Sequence, residues 1–254
     1  MKKYLLSSLL AVGLVGSSIP NISFATTDGV PYLNEILQMQ PGVSSEELIS
    51  DISSISENMG ITKEEIAKQI YKELKENDLQ ALKENRIKGG SGGTVSVGNS
   101  TRGGSGGTVS VGNSTKGNFF YTDSQTAYLN HGHVGLYYSN NEIVESVPDT
   151  GVRIISTQNR KVDQGGALVK SVTTSTDNRD SAADWAYSRV GEDSYSINFA
   201  TNRTTSHTGA KNCSKLIWSA YMLKANLDLD KDGGLGVYPR DVRDAEDTEL
   251  VRNI

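Results

Sequence analysis

The chain's one cysteine, Cys213, opens an apolar run, Asn212-Cys213-Ser214-Lys215-Leu216-Ile217-Trp218-Ser219-Ala220-Tyr221, which reads as a buried helix with a thiol in its first turn. A helix start carries roughly half a positive charge and unpaired N–H groups, so it favours thiolate over thiol and can hydrogen-bond an oxyanion formed beside the sulfur. The plain alternative is a small buried residue, because free cysteine is among the residues most often buried. A second polar cluster, Asn130-His131-Gly132-His133-Val134-Gly135-Leu136-Tyr137-Tyr138, is followed by Glu142-Ile143-Val144-Glu145-Ser146-Val147-Pro148. The pair reads as a β-hairpin turning at Ser139-Asn140-Asn141. His133 would start the first strand and Glu145 would lie on the second, where cross-strand pairing lets a carboxylate orient an imidazole. Cysteine, histidine and a polar orienter are the parts of a thiol hydrolase: the imidazole takes the thiol proton and later gives it to the leaving group, and the third residue fixes the tautomer. His131 is expected at a surface or turn position, which makes His133 the favoured base. Glu145 has an ordinary alternative as a solvated strand carboxylate.

At these residues the sequence resembles the circularly permuted branch of the NlpC/P60 papain-like superfamily, the YiiX/YycO-like proteins. The stretches that carry the resemblance are Gly132-His133-Val134-Gly135-Leu136-Tyr137, Ile143-Val144-Glu145-Ser146-Val147-Pro148-Asp149-Thr150-Gly151-Val152 and the Cys213 run. Further matches are Ala182-Ala183-Asp184-Trp185-Ala186-Tyr187 with Tyr195-Ser196, and Leu227-Asp228-Leu229-Asp230-Lys231-Asp232-Gly233-Gly234 leading to Tyr238-Pro239-Arg240-Asp241. In ordinary papain-like enzymes the cysteine precedes the histidine; here the order is reversed, as that branch implies. The resemblance implies Cys213 as nucleophile, His133 as base and Glu145 as the orienting residue. The sequence departs from the family at Asn212, where an aromatic residue commonly precedes the cysteine. Tyr195 and His207 are further polar groups that spacing alone does not place.

Residues 1–25 have the pattern of a secretory signal peptide: Lys2 and Lys3, an apolar stretch over 5–15, and Ser23-Phe24-Ala25 as a small-x-small cleavage site. The apolar stretch is short for a membrane span, so no stable span is expected once the signal is removed. Cleavage takes away two lysines and no acids, leaving 23 bases against 30 acids, a charge of −7. Such a balance argues against a nucleic-acid partner, for which a basic surface is expected. A single cysteine excludes an internal disulfide, so packing must hold the fold.

Residues 26–88 form a helical N-terminal segment. Leu48, Ile52, Ile55 and Met59 recur at helical spacing, as do Ile66, Ile70 and Leu74, and each run starts with a capping-box pattern, Ser44-x-x-Glu47 and Thr62-x-x-Glu65. Gly60 would cap the first helix, giving a helical hairpin that packs on the rest of the chain, self-associates or serves as a pro-region. Residues 89–107 are a Gly-rich repeat linker, since 89–101 recur identically at 103–115. Each copy holds Thr-Val-Ser-Val between glycines, and the second copy could supply the first strand of the following domain.

The catalytic domain is placed at 108–254, with strands at 134–138, 143–147, 152–156 and 167–173 and helices at 180–189 and 213–223. Contiguous blocks of each type indicate an α+β fold, and the resemblance implies a permuted papain-like domain with an antiparallel sheet and packed helices. Trp185 and Trp218 are expected in the core. Asp228-Leu229-Asp230-Lys231-Asp232-Gly233 imitates the first half of a calcium loop, but the twelfth position, which needs a bidentate glutamate, is Pro239, so an EF-hand is not expected. With three dispersed histidines and no His-Glu-x-x-His helix, neither a catalytic metal nor a cofactor is expected. The function implied is a secreted or cell-wall-associated cysteine hydrolase cleaving an amide or ester through a thioester, with cell-wall peptide or an acyl group as substrate. The competing class is a non-catalytic surface-binding or adhesion module; an acyl or lipid hydrolase or transferase is a further alternative.

Overall fold

The structure is a computed structural model that describes residues 30–88, 108–123 and 131–254. The signal-peptide expectation at 1–25 and the first repeat copy lie outside the described residues.

Three helices come first, α1 (Leu33–Met39), α2 (Ser45–Met59) and α3 (Lys63–Lys88). The capping box read at Thr62 and Glu65 forms in full, and at Ser44 only its serine half forms, the Glu47 carboxylate accepting from Asn198 Nδ2 instead. Glu47 N donates to Ser44 Oγ at 3.1 Å, Glu65 N donates to Thr62 Oγ1 at 3.2 Å, and Thr62 N donates back to Glu65 Oε2 at 3.0 Å. Gly60 ends α2 at φ 69°, a left-handed conformation that costs glycine little. The apolar stripe of this hairpin, Leu48, Ile52, Ile55, Ile66, Ile70 and Leu74, joins one core with Phe119, Val134, Leu216 and Trp218. The helices thus pack on the rest of the chain, and no second copy is needed to cover that stripe.

The second half is α+β. Strands β2 (Phe119–Thr122), β3 (His133–Ser139), β4 (Glu142–Val147), β5 (Gly151–Ser156), β7 (Ala167–Val172) and β8 (Thr248–Asn253) form an antiparallel sheet in the order β5-β4-β3-β2-β7-β8. A two-stranded antiparallel sheet pairs β1 (Thr108–Ser110) with β6 (Lys161–Asp163), so the second repeat copy does supply a strand, though in this small sheet. Helices α4 (Thr176–Tyr187), α5 (Cys213–Ala225) and α6 (Pro239–Asp244) complete the fold.

Strand alternation divides the apolar residues of the large sheet between two cores. Phe119, Tyr121, Val134, Leu136 and Val144 join the main core with α4, α5 and the N-terminal helices, whereas Phe120, Tyr137 and Ile143 meet Val111 and Val162 of the small sheet side. In α5, every residue from 213 to 221 is buried, Ser214, Lys215 and Ser219 included, which explains why this helix carries no single apolar stripe. Trp218 is in the core with its Nε1–H donated to Asp228 at 2.8 Å, and Trp185 packs half-buried at the margin.

Candidate active site

Helix α5 starts where Asn212 leaves the helical path at φ −86°, ψ 179°, and its Oδ1 accepts from Lys215 N at 3.1 Å. This is N-capping, the physical use of the asparagine that stands where an aromatic was expected. The cap satisfies the third N–H of the helix and leaves the first N–H groups, at Cys213 and Ser214, without an intrahelical acceptor. Asn212 is itself held on two sides: Asn202 Nδ2 donates to its Oδ1 at 3.0 Å, and its own Nδ2 donates to Asn198 O at 3.1 Å. Ser214 Oγ and Asn202 Nδ2 both donate to Val237 O, at 2.7 and 2.9 Å. The helix start is therefore fixed by hydrogen bonds to residues from other segments of the chain.

The hairpin meets this helix start. Ser146 Oγ on β4 donates to Lys211 O at 2.6 Å, tying the strand that carries Glu145 to the residue two before Cys213. His133 Nε2–H donates to Glu145 Oε2 at 2.8 Å, and the two side chains are 1% and 0% exposed. A carboxylate only accepts, so the proton sits on Nε2 and Nδ1 is the basic nitrogen. Nδ1 has no oxygen or nitrogen partner among the described residues. Burial by itself would lower the pKa of His133, but the charge of Cys213 and a hydrogen bond with it, then Glu145, raise it to about 9. Cys213 and His133 thus interact, with the imidazole taking its raised pKa first from the sulfur.

Glu145 is not the solvated carboxylate of the ordinary alternative. Arg153 Nη2 and Nε donate to its Oε1 at 2.7 and 3.1 Å, and Arg160 Nε donates to Oε2 at 2.7 Å. Burial acts to raise its pKa, and His133, Arg160 and Arg153 together outweigh that and hold it well below the ordinary carboxylate range. Two guanidinium groups thus keep Glu145 ionised, so it can fix the imidazole without taking its proton.

His131 takes the turn position of the expectation but not the surface one. It is 3% exposed, in the turn before β3, with its ring 5.0 Å from that of Phe199 and 4.9 Å from that of Tyr238. Two residues apart in one strand would share a face; what separates the histidines is that β3 begins only at His133. Burial, then the positive Arg240, holds His131 down at about 3, so it stays neutral and cannot pair with a thiolate. His207 stacks on Trp218 and its Nδ1 lies 2.9 Å from Ser219 Oγ.

Sequence reasoning missed two contributors. Arg153 lies directly opposite Glu145 in the β4–β5 register, a relation that strand alternation makes legible once the hairpin is extended. Arg160 comes from the turn before β6 and left no local signal. Tyr195, which spacing alone did not place, keeps a buried hydroxyl without a hydrogen-bond partner, and burial, then the charge of Cys213, holds its phenol protonated.

No protein-family profile matches the chain. The crystal structure of metalloprotein yiiX from Escherichia coli O157:H7 aligns with 55% of this chain and 97% of that one, at 16% identity and a TM-score of 0.42. The uncharacterized protein YycO of Bacillus subtilis (strain 168) is 42% identical over 261 residues, spanning 100% of this chain and 99% of YycO. At that identity over the whole length of both proteins, the chain belongs to the YycO family.

Proposed function

We propose that the chain is an exported cysteine hydrolase with a permuted papain-like domain, acting on an amide or ester carbonyl. The observation that carries this reading is the buried relay Cys213–His133–Glu145, in which the imidazole gives Nε2–H to an ionised carboxylate and leaves Nδ1 for the thiol. In the first half-reaction the Cys213 sulfur attacks the carbonyl carbon. The N–H groups at the start of α5 hold the oxyanion, and His133 protonates the departing amine or alcohol as its bond to carbon breaks. In the second, water gives a proton to His133 and attacks the thioester; the acid leaves and the thiolate returns. Cys213 and His133 are each 1% exposed, so substrate has to open its own path to the pair.

Cell-wall peptide is the substrate class proposed, because residues 1–25 read as an export signal and that polymer is what an exported chain meets. The mature chain would begin at Thr26. The deciding experiment incubates it with cell-wall peptide fragments and a panel of acyl esters and reads new amine and carboxyl ends by mass spectrometry. The parent should release product, and Cys213→Ser should bind the same fragments without cleaving them. A folded parent that cleaves nothing, together with unchanged binding by Cys213→Ser, would establish a binding module instead.

A further inference from the structure

We propose that Asp230, Asp232 and Asp241 form a calcium site that braces the start of α5 from behind. One carboxylate oxygen from each lies within 4.8 Å of the others. That is the span of two oxygens across one calcium ion, which takes oxygen ligands at about 2.3–2.6 Å. One oxygen of each group already has a partner in the protein. Asp230 Oδ2 accepts from Arg203, Asp232 Oδ1 accepts from Gly234 N at 3.0 Å, and Asp241 Oδ2 accepts from Tyr238 N at 3.0 Å.

An acidic cluster alone would not make a site; two buried atoms point to a ligand. The Asp230 side chain is wholly buried, yet its Oδ1 has no hydrogen-bond partner. The Tyr238 hydroxyl, on a residue 1% exposed, has none either, and the charges that act on it are those of Glu73, Asp241, Asp232 and Asp230. Buried polar atoms are almost always paired, so a carboxyl oxygen and a phenol oxygen left open around the same carboxylates ask for a cation. Glu73 is not free to bind it, because its carboxylate accepts from Leu235 N, Gly236 N and Gln69 Nε2. The donors are all oxygen, with no histidine or thiolate, which selects a hard cation over zinc or copper.

This is not an EF-hand. Asp228, first in the Asp-x-Asp-x-Asp-Gly pattern, accepts from Arg203 and Trp218 Nε1 and stays out of the cluster. Gly233 still makes the turn, at φ 67°. Asp241, two residues beyond Pro239, takes the place of the missing glutamate because α6 folds back over the loop. Val237 of the same loop accepts from Ser214 and Asn202, so an ion that orders the loop also stiffens the helix start that carries Cys213.

The test uses the full mature chain after chelator treatment, titrated with calcium chloride by calorimetry and with terbium by tyrosine-sensitised luminescence, and melted with and without calcium. Binding is expected with a Kd between about 10⁻⁵ and 10⁻³ M, with a rise in Tm. Asp232→Asn, at an exposed residue, should weaken binding by about tenfold or more and abolish the Tm rise, while Asp228→Asn should leave the affinity within about twofold. Absence of binding up to about 10 mM calcium, or equal losses from Asp228→Asn and Asp232→Asn, would overturn the assignment. None of these readouts depends on hydrolysis.

Discussion

Glu145 receives His133 on one side and two arginines on the others, so the carboxylate that orients the imidazole is itself pinned by Arg153 at 2.7 Å and Arg160 at 2.7 Å. The buried imidazole is thereby held by Nε2 on one fixed acceptor.

His133 should titrate near pH 9 in the parent, above the ordinary value of about 6.5. Cys213→Ala removes the two strongest raising influences and leaves burial, which lowers, so the titration should move down by more than a unit. A pH series of imidazole NMR signals reads this directly. An unchanged midpoint in Cys213→Ala would mean that the sulfur does not act on the ring.

Stability should fall at both ends of the pH range, for opposite reasons. Glu145 is depressed, so its contribution is full above about 4.5 and is lost as pH falls toward the folded value; His133 is raised, so its contribution is full below about 6.5 and is lost as pH rises through about 9. Glu145→Gln should lower Tm at neutral pH, since it leaves two guanidinium groups facing an amide, at a cost on the order of 3 kcal/mol. The same variant should flatten the acid limb of a Tm-versus-pH curve. Where it remains folded, turnover should drop less than in Cys213→Ser or His133→Ala, because an orienting residue acts through the histidine.

Alkylation by iodoacetamide should separate the two histidines. His133→Ala should slow labelling of Cys213 by about tenfold or more, because the base that serves the thiol is gone. His131→Ala should lower Tm, by emptying the space between Phe199 and Tyr238, with little change in labelling rate at temperatures where it is folded. Equal slowing by the two substitutions would transfer the base role away from His133.

Gly132 sits between the histidines at φ 78°, and a Cβ there would lie 2.6 Å from the Tyr121 ring. Gly132→Ala should cost about 1–3 kcal/mol in backbone strain and displace the start of β3. Denaturant melts should report the loss, and labelling of Cys213 should slow by more than the fraction unfolded explains.

The sequence by itself determined the local elements that punctuation and periodicity encode. Ser44, Gly60, Thr62 and Glu65 mark their helices through bonds between near neighbours, and alternation from His133 to Val147 makes the hairpin and brings Glu145 to His133 across one strand pair. The strands β2 and β8 and the helices α1 and α6 carry no comparable local signal; Phe119–Thr122 is buried on both faces and shows no polar alternation, and α6 is six residues long. What only the tertiary structure decided are relations between residues far apart in the chain. Arg160 reaches Glu145, Ser146 reaches Lys211, and His131, in its turn, is buried against Phe199 and Tyr238. The reason is physical: a buried carboxylate, hydroxyl or imidazole takes whichever partner the packed core brings within about 3 Å, and a core assembled from α2, α3, the sheet and α5 leaves no trace of those pairings in any local stretch of sequence.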